Sequence, residues 1–134
     1  MLIRSATAAD LDAILRIQEA CPEAARWSPR DFLAYETEVA EEAGSVGGFL
    51  VTRQVAPGEY EILNLAVDPA LRRRGIARRL LEQTLETRPG KYFLEVRESN
   101  TAARNFYISM GFQIAGRRPS YYEDPSEAAI VMES

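Results

Sequence analysis

The run Ile62-Leu63-Asn64-Leu65-Ala66-Val67 is apolar on both faces. A strand of that kind belongs in the middle of a sheet that is covered above and below. Pro69 ends it, and a helix follows from about Gly75 to Thr87, where Pro89-Gly90 stops it. Tyr92 to Arg97 then reads as another strand. A buried strand that feeds a helix and then a further strand places the chain in the mixed α/β class.

The remaining elements fit around this unit. Leu2 to Arg4 reads as a short strand, and Thr7-Ala8-Ala9-Asp10 resembles a capping box before Leu11, Ile14, Leu15 and Ile17 at helical spacing. A second helix starts at Ser28, with Pro29 in its first position, Asp31 near its positive end, and Phe32 and Leu33 facing inward. Gly47-Gly48 reads as a break before a strand from Phe49 to Arg53, and Ala56-Pro57-Gly58 as the turn into Glu59 to Val67. A helix from Asn100 to Met110, with Ala103, Phe106 and Met110 suited to the core, ends on Gly111 as a left-handed terminator. Phe112 to Gly116 and Ala128 to Met132 form a last hairpin. The expected order is β-α-α-β-β-α-β-α-β-β, a mixed sheet with helices on its faces. At 134 residues, with no repeats or linker-like stretches, a single domain over residues 1–134 is expected.

What the chain lacks narrows its chemistry. It has no histidine, which removes His general bases, Ser-His-Asp and Cys-His catalysis, and every metal site that uses His. Lysine occurs once, as Lys91, so proton transfer falls to Asp, Glu, Tyr or Cys. The lone Cys21 cannot form an internal disulfide, no apolar run is long enough to span a bilayer, and the first residues contain no signal-peptide core. A cytoplasmic protein without a membrane partner is expected. Net charge is −4, yet the stretch from Leu71 to Arg118 is basic between acidic flanks. That pattern suggests a local anionic partner and not nucleic acid wrapped over the whole surface.

Three segments carry candidate chemistry. Arg72-Arg73-Arg74-Gly75-Ile76-Ala77-Arg78 opens a helix behind a buried strand, and Gly75 and Ala77 let a ligand approach the backbone. Outward N–H groups at the positive helix end, with arginines around them, suit a phosphate or pyrophosphate. On the residues alone, a solvated arginine cluster or a weak RNA-binding patch fits equally well. Glu95 stands mid-strand on one face with Phe93 and Arg97. A carboxylate there needs either an arginine partner, an edge position, or a cavity to line. The third segment is the helix that carries Asn100, which suits its cap, and Tyr107, which lies next to the core-facing side.

With these residues in place, the chain resembles the GNAT superfamily of acetyl-coenzyme A-dependent N-acetyltransferases. The resemblance rests on element order and on Arg72-x-x-Gly75-x-Ala77, coupled to Val67-Asp68-Pro69 and to Asn100, Phe106-Tyr107 and Gly111-Phe112. Within it, Leu63 to Pro69, Arg73-Arg74-Gly75, Leu94-Glu95-Val96-Arg97-x-Ser99-Asn100, Tyr121-Tyr122 and the earlier Trp27-Ser28 are most similar to bacterial enzymes that acetylate the N-terminal alanine of a ribosomal protein. The resemblance implies a mostly antiparallel mixed sheet with helices on both faces, acetyl-coenzyme A as cosubstrate, and no metal. It implies that the backbone of Leu65, Ala66 and Val67 pairs with the pantetheine arm and polarises the acetyl carbonyl. Arg73, Arg74, Gly75, Ile76, Ala77 and Arg78 would hold the pyrophosphate, and Asn100 would contact the cofactor. Glu95 matches the general base, Tyr107 the general acid, and Trp27, Tyr121 and Tyr122 border the acceptor. The expected partner is a protein or peptide N-terminus, that of a ribosomal protein, with no specific nucleic acid, and the expected state is a monomer or weak dimer.

The chain departs from the pattern near the acceptor: Arg26 replaces a proline before Trp27-Ser28, the hairpin after Tyr122 is short, and Ala128 replaces an aspartate. Cys21 reads as a core residue and not a nucleophile. The rival readings are transfer to a lysine or small-molecule amine, a nucleic-acid-binding module built on the arginine block, and a cofactor sensor without turnover.

Overall fold

The computed structural model describes residues 1–123 and 125–134. The chain divides into two compact units, Met1–Arg53 with Leu63–Pro89, and Gln54–Ile62 with Gly90–Ser134. Among the described residues it forms seven strands and four α-helices: β1 (Leu2–Ser5), α1 (Leu11–Ala20), α2 (Pro29–Ala34), β2 (Glu36–Glu42), β3 (Ser45–Ala56), β4 (Glu59–Val67), α3 (Ile76–Thr87), β5 (Lys91–Arg97), α4 (Thr101–Ser109), β6 (Gln113–Tyr122) and β7 (Glu127–Glu133). Hydrogen-bonded neighbours run β1-β2-β3-β4-β5-β7-β6. The pairs β1–β2, β2–β3, β5–β7 and β6–β7 are antiparallel, and β4–β5 is parallel. The mixed, mostly antiparallel sheet expected from the sequence is present.

In the first unit, a cluster of Ile14, Ile17, Cys21, Phe32, Val39, Val46, Phe49, Val51 and Ala66 forms the core. Phe32 meets Phe49 edge to face, 5.3 Å between ring centroids, the geometry that the ring quadrupole favours. Its entry helices are fixed as their caps foretell. The Thr7 N–H donates to Asp10 Oδ2 at 2.8 Å, and Arg4 grips both oxygens of that carboxylate at 2.8 and 2.9 Å. This pair holds the Asp10 carboxyl down at about 2. At α2, the Ser28 N–H and hydroxyl both donate to Asp31 Oδ2. Leu33, however, is 56% exposed, because in a six-residue helix only Phe32 turns to the core.

The middle of the chain departs from the expected element order in two places. The acid-rich stretch Glu36–Glu42 is a strand, β2, with Thr37, Val39 and Ala40 buried between β1 and β3. Sheet pairing on both sides outweighs its poor intrinsic preference. Gly47-Gly48 does not break the chain but lies inside β3, which therefore starts at Ser45. A Cβ on Gly47 would stand 2.8 Å from Leu71 Cδ1, and one on Gly48 3.0 Å from Ile76 Cγ2 and 3.1 Å from the Ala66 carbonyl. The glycines are there so that the end of β4 and the start of α3 can close on β3.

In the second unit, β4 and β5 pair in the register Glu59–Lys91, Tyr60–Tyr92 and Glu61–Phe93, with Tyr60 stacked on Tyr92 at 4.9 Å. Leu94 stands opposite Met132 and Val96 opposite Ile130 across β5–β7, all four buried. The last hairpin is longer than expected on its first arm. Phe112 is buried ahead of β6, and β6 continues through Pro119 and Ser120 to Tyr122 with a register shift between Arg118 and Tyr122. Ser120 takes φ +53° within that irregular stretch. On α4 the buried residue is Tyr107, whereas Ala103, Phe106 and Met110 are only partly covered.

The glycine packing is testable. Gly48→Ala is expected to destabilise the fold by about 1–3 kcal/mol through overpacking. Gly116→Ala, where a Cβ meets nothing within 4 Å, should stay within about 0.5 kcal/mol of the parent. Urea midpoints at unchanged m-value measure both, and equal stability of the two variants would contradict the close-approach account.

Candidate active site

In the first unit the end of β4 leads into the arginine loop. Ala66 is buried, and Leu65 and Val67 are half-buried. The Asp68 N–H donates to the Gly47 carbonyl at 2.8 Å, and the Cys21 thiol approaches the Val67 carbonyl at 3.4 Å. Burial pushes the Cys21 thiol up, so it stays protonated and is a core donor. Asp68 Oδ1 accepts from the Ala70 N–H at 3.0 Å, closing the short turn Pro69–Leu71. Arg72 is drawn back to Glu23 at 2.8 Å, while Arg73 and Arg74 are exposed.

Gly75 caps α3 with φ +76°, a left-handed conformation that a β-carbon disfavours, although space for one is open. The cap residue has no side chain to meet the N–H groups of the first helical turn, which intrahelical bonding leaves over. Ile76 is buried, so only its backbone is available there. The Arg78 guanidinium is 3.6 Å from Glu82 along the helix. Arg73 also has positive φ, +66°, next to this cap. Exposed guanidinium groups around a helix amino terminus are the donor set a diphosphate requires.

In the second unit Glu95 lines an open pocket of about 220 Å³ with Val55, Glu61, Phe93, Leu94, Arg118 and Val131. Its side chain is 17% exposed, and Oε1 is 3.7 Å from Arg118 Nη2. Oε2 is buried without a hydrogen-bond partner among the described residues. Of the settings open to a mid-strand carboxylate, Glu95 therefore combines two, an arginine partner and a cavity. Tyr121 and Tyr122 meet edge to face at 5.1 Å. Arg118 lies 5.5 Å from the Tyr121 ring centroid, which links that pair to Glu95. Burial, followed by the Glu95 charge, pushes the Tyr122 hydroxyl up to about 12, so it is a neutral hydrogen-bonding group.

The other singled-out residues have contacts of their own. Tyr107 packs against Phe106 and Phe112 at 5.2 and 5.4 Å, and burial drives its phenol well above the tyrosine range. Asn100 caps α4, its Oδ1 accepting from the Ala103 N–H at 3.2 Å, which leaves the amide NH₂ as its further donor. Trp27, in the first unit, packs on Phe32 and Tyr35.

Three positioning residues escape a reading of the sequence. Gln18, buried on α1, holds the Trp27 backbone twice, donating to its carbonyl and accepting from its N–H, both at 2.9 Å. Arg97 donates to the carbonyls of Glu123 and Pro125, pairs with Glu127, and stacks 4.5 Å over Tyr122. Glu127 in turn accepts from the Ser99 N–H at 2.6 Å. Arg118 is the third. The signal available for Arg97 was its place on the Glu95 face of β5; for Gln18 there was none beyond a polar residue on an apolar helix face.

Among the described residues no group of three or more His, Cys, Asp or Glu is placed to hold a metal, and no helix is long and apolar enough to cross a membrane. Residues 7–112 match the acetyltransferase (GNAT) family. An N-alpha-acetyltransferase RimI from Mycobacterium tuberculosis is 41% identical over 97 residues, covering 69% of this chain and 61% of its own length. The [ribosomal protein bS18]-alanine N-acetyltransferase of Escherichia coli K12 is 35% identical over 97% of this chain and 94% of its own. The crystal structure of the ribosomal-protein-S18-alanine N-acetyltransferase from Escherichia coli aligns with TM-score 0.85 over 98% of this chain and 91% of that one, at 33% identity. Strand order, loop and family match agree: the chain belongs to the acetyltransferase (GNAT) family.

Proposed function

We propose that this acetyltransferase is one N-acetyltransferase domain that moves the acetyl group of acetyl-coenzyme A to a protein N-terminal α-amine, with the N-terminal alanine of a ribosomal protein as acceptor. The observation that carries the reading is the Glu95 carboxylate, with a buried oxygen that lacks a hydrogen-bond partner and an open pocket alongside. An unsatisfied carboxylate oxygen costs stability in the absence of a ligand and is repaid by an incoming N–H donor. The extent of the Escherichia coli relative's match supports the choice of acceptor, as does Tyr121-Tyr122 standing beside Arg118 and Glu95.

The roles follow from what each group can do. Arg73 and Arg74 provide exposed charge, and the backbone of Gly75, Ile76, Ala77 and Arg78 the helix amino end, for the pyrophosphate. Leu65, Ala66 and Val67 offer strand backbone for the pantetheine amides, with the Val67 N–H toward the developing oxyanion, and Asn100 adds an amide donor. The acceptor amine attacks the thioester carbon, forming the N–C bond as the C–S bond breaks. Glu95, directly or through a water, takes the amine's proton, and the Tyr107 phenol protonates the thiolate.

A carboxylate is a sufficient base for this acceptor. An α-amine with pKa near 8 is roughly 10% neutral at pH 7, whereas a lysine near 10.4 is roughly 0.04% neutral, a difference of about 3 kcal/mol. Trp27, Tyr121 and Tyr122 border the acceptor in this reading, and the cytoplasm is where it works.

Two measurements test these roles. Glu95→Gln is expected to lower kcat by about 10²–10⁴-fold while leaving acetyl-coenzyme A affinity unchanged, and an unaltered kcat removes Glu95 from the mechanism. Reversing charge at both Arg73 and Arg74 to Glu is expected to weaken acetyl-coenzyme A binding by roughly tenfold or more, with the loss shrinking at high salt. Calorimetric titration at two ionic strengths reads this, and unchanged affinity would reject the loop as the pyrophosphate site.

A further inference from the structure

We propose that Arg118 is a displaceable counter-ion, holding the cation position beside Glu95 until the acceptor's ammonium takes it over. The inference rests on the reading of Glu95 as the base. The arginines of this unit differ in how firmly they are held. Arg97 is held by two backbone carbonyls, by Glu127 and by the Tyr122 ring. Arg117 grips Glu98 with two hydrogen bonds, 2.8 and 3.1 Å. Among the described residues, Arg118 has only the 3.7 Å approach to Glu95 Oε1 and the Tyr121 ring face, and its side chain is 58% exposed.

That geometry compensates the Glu95 charge without satisfying it. At 3.7 Å the guanidinium is an ion-pair partner and not a hydrogen-bond donor, and Oε2 is left with no donor. An ammonium is compact and carries N–H donors, so it can close to hydrogen-bond distance of Oε1, where Arg118 stands off at 3.7 Å. Among the described residues, the charged groups lining the pocket with Glu95 are Glu61 on β4 and Arg118 on β6, with Phe93 and Val131 as apolar wall; Arg97 shares its face of β5, and the neutral Tyr122 of β6 feels its charge. One loosely held cation beside the Glu95 carboxylate lets cation replace cation there at constant charge. The exposed Tyr121 ring gives the departing guanidinium a surface to rest on. The irregular stretch of β6 at Ser120 separates Tyr121 from Arg118, which lines the pocket. Arg118 is thus a positioning residue, which sets how firmly the acceptor ammonium is held without touching the reacting atoms.

The test is steady-state kinetics on Arg118→Gln with an alanine-initiated, lysine-free peptide. With no cation to displace, the acceptor KM is expected to fall about two- to fivefold, the range of one half-exposed ion pair. The kcat should fall in parallel, because an ammonium held more firmly gives up its proton less readily, and the KM for acetyl-coenzyme A should not move. Arg118→Lys should restore both acceptor parameters. A raised acceptor KM would make Arg118 a binding contact and overturn the proposal, and unchanged KM and kcat would make it a bystander. If the parent protein transfers no acetyl group to any amine, the reading of Glu95 falls and the proposal with it. Transfer by the parent with an unmoved KM in the variant removes the role of Arg118 alone.

Discussion

The close approach of Gly47 and Gly48 to Leu71, Ile76 and the Ala66 carbonyl is the constraint on which the arginine loop depends. With no β-carbon in the way, β3 can receive both the last residues of β4 and the first turn of α3. The Asp68 N–H bond to the Gly47 carbonyl, the Cys21 thiol at the Val67 carbonyl and the Arg72–Glu23 pair then tie the intervening loop on three sides. The loop's outward groups, Arg73, Arg74 and the helix amino end, are left exposed by the same packing that buries Ile76. Rigidity on one side and open donors on the other is what a fixed anion site needs.

The second unit balances charge in a comparable way. Its arginines are mostly committed: Arg97 holds the Glu123 and Pro125 carbonyls, and Arg117 is neutralised by Glu98. Glu127, paired with Arg97, also holds the Ser99 N–H ahead of α4. Against this fixed background Glu95 and Arg118 stand out as a carboxylate incompletely served and a cation loosely held. A low-polarity wall of Val55, Phe93 and Val131 strengthens whatever charge pair forms there.

Much of this was legible in the sequence, for identifiable physical reasons. The strand Glu59–Val67 and helix α3 were readable because apolar content, Pro69 and Pro89-Gly90 all point the same way. β2 was not, since Glu-rich strands owe their existence to the neighbours on either side. The role of Gly47-Gly48 was not legible either, because a glycine pair signals a break or a close approach equally, and only the positions of Leu71, Ala66 and Ile76 decide between them. The arm of β6 beyond Gly116 was hidden by Pro119 and Ser120, residues that ordinarily end strands but here mark an irregular register. At the site, an arginine partner for Glu95 was foreseeable as a class. Which arginine of the basic block it would be depended on the β6–β7 pairing.

The central claim, acetyl transfer to an α-amine, is tested most directly by mass spectrometry. A peptide beginning Ala-Arg with one internal lysine, and an N-terminally blocked twin, would each be incubated with the protein and acetyl-coenzyme A. The account predicts one added acetyl group on the free peptide and none on its twin. Acetylation of the lysine in both peptides, or of neither peptide at any site, would contradict it.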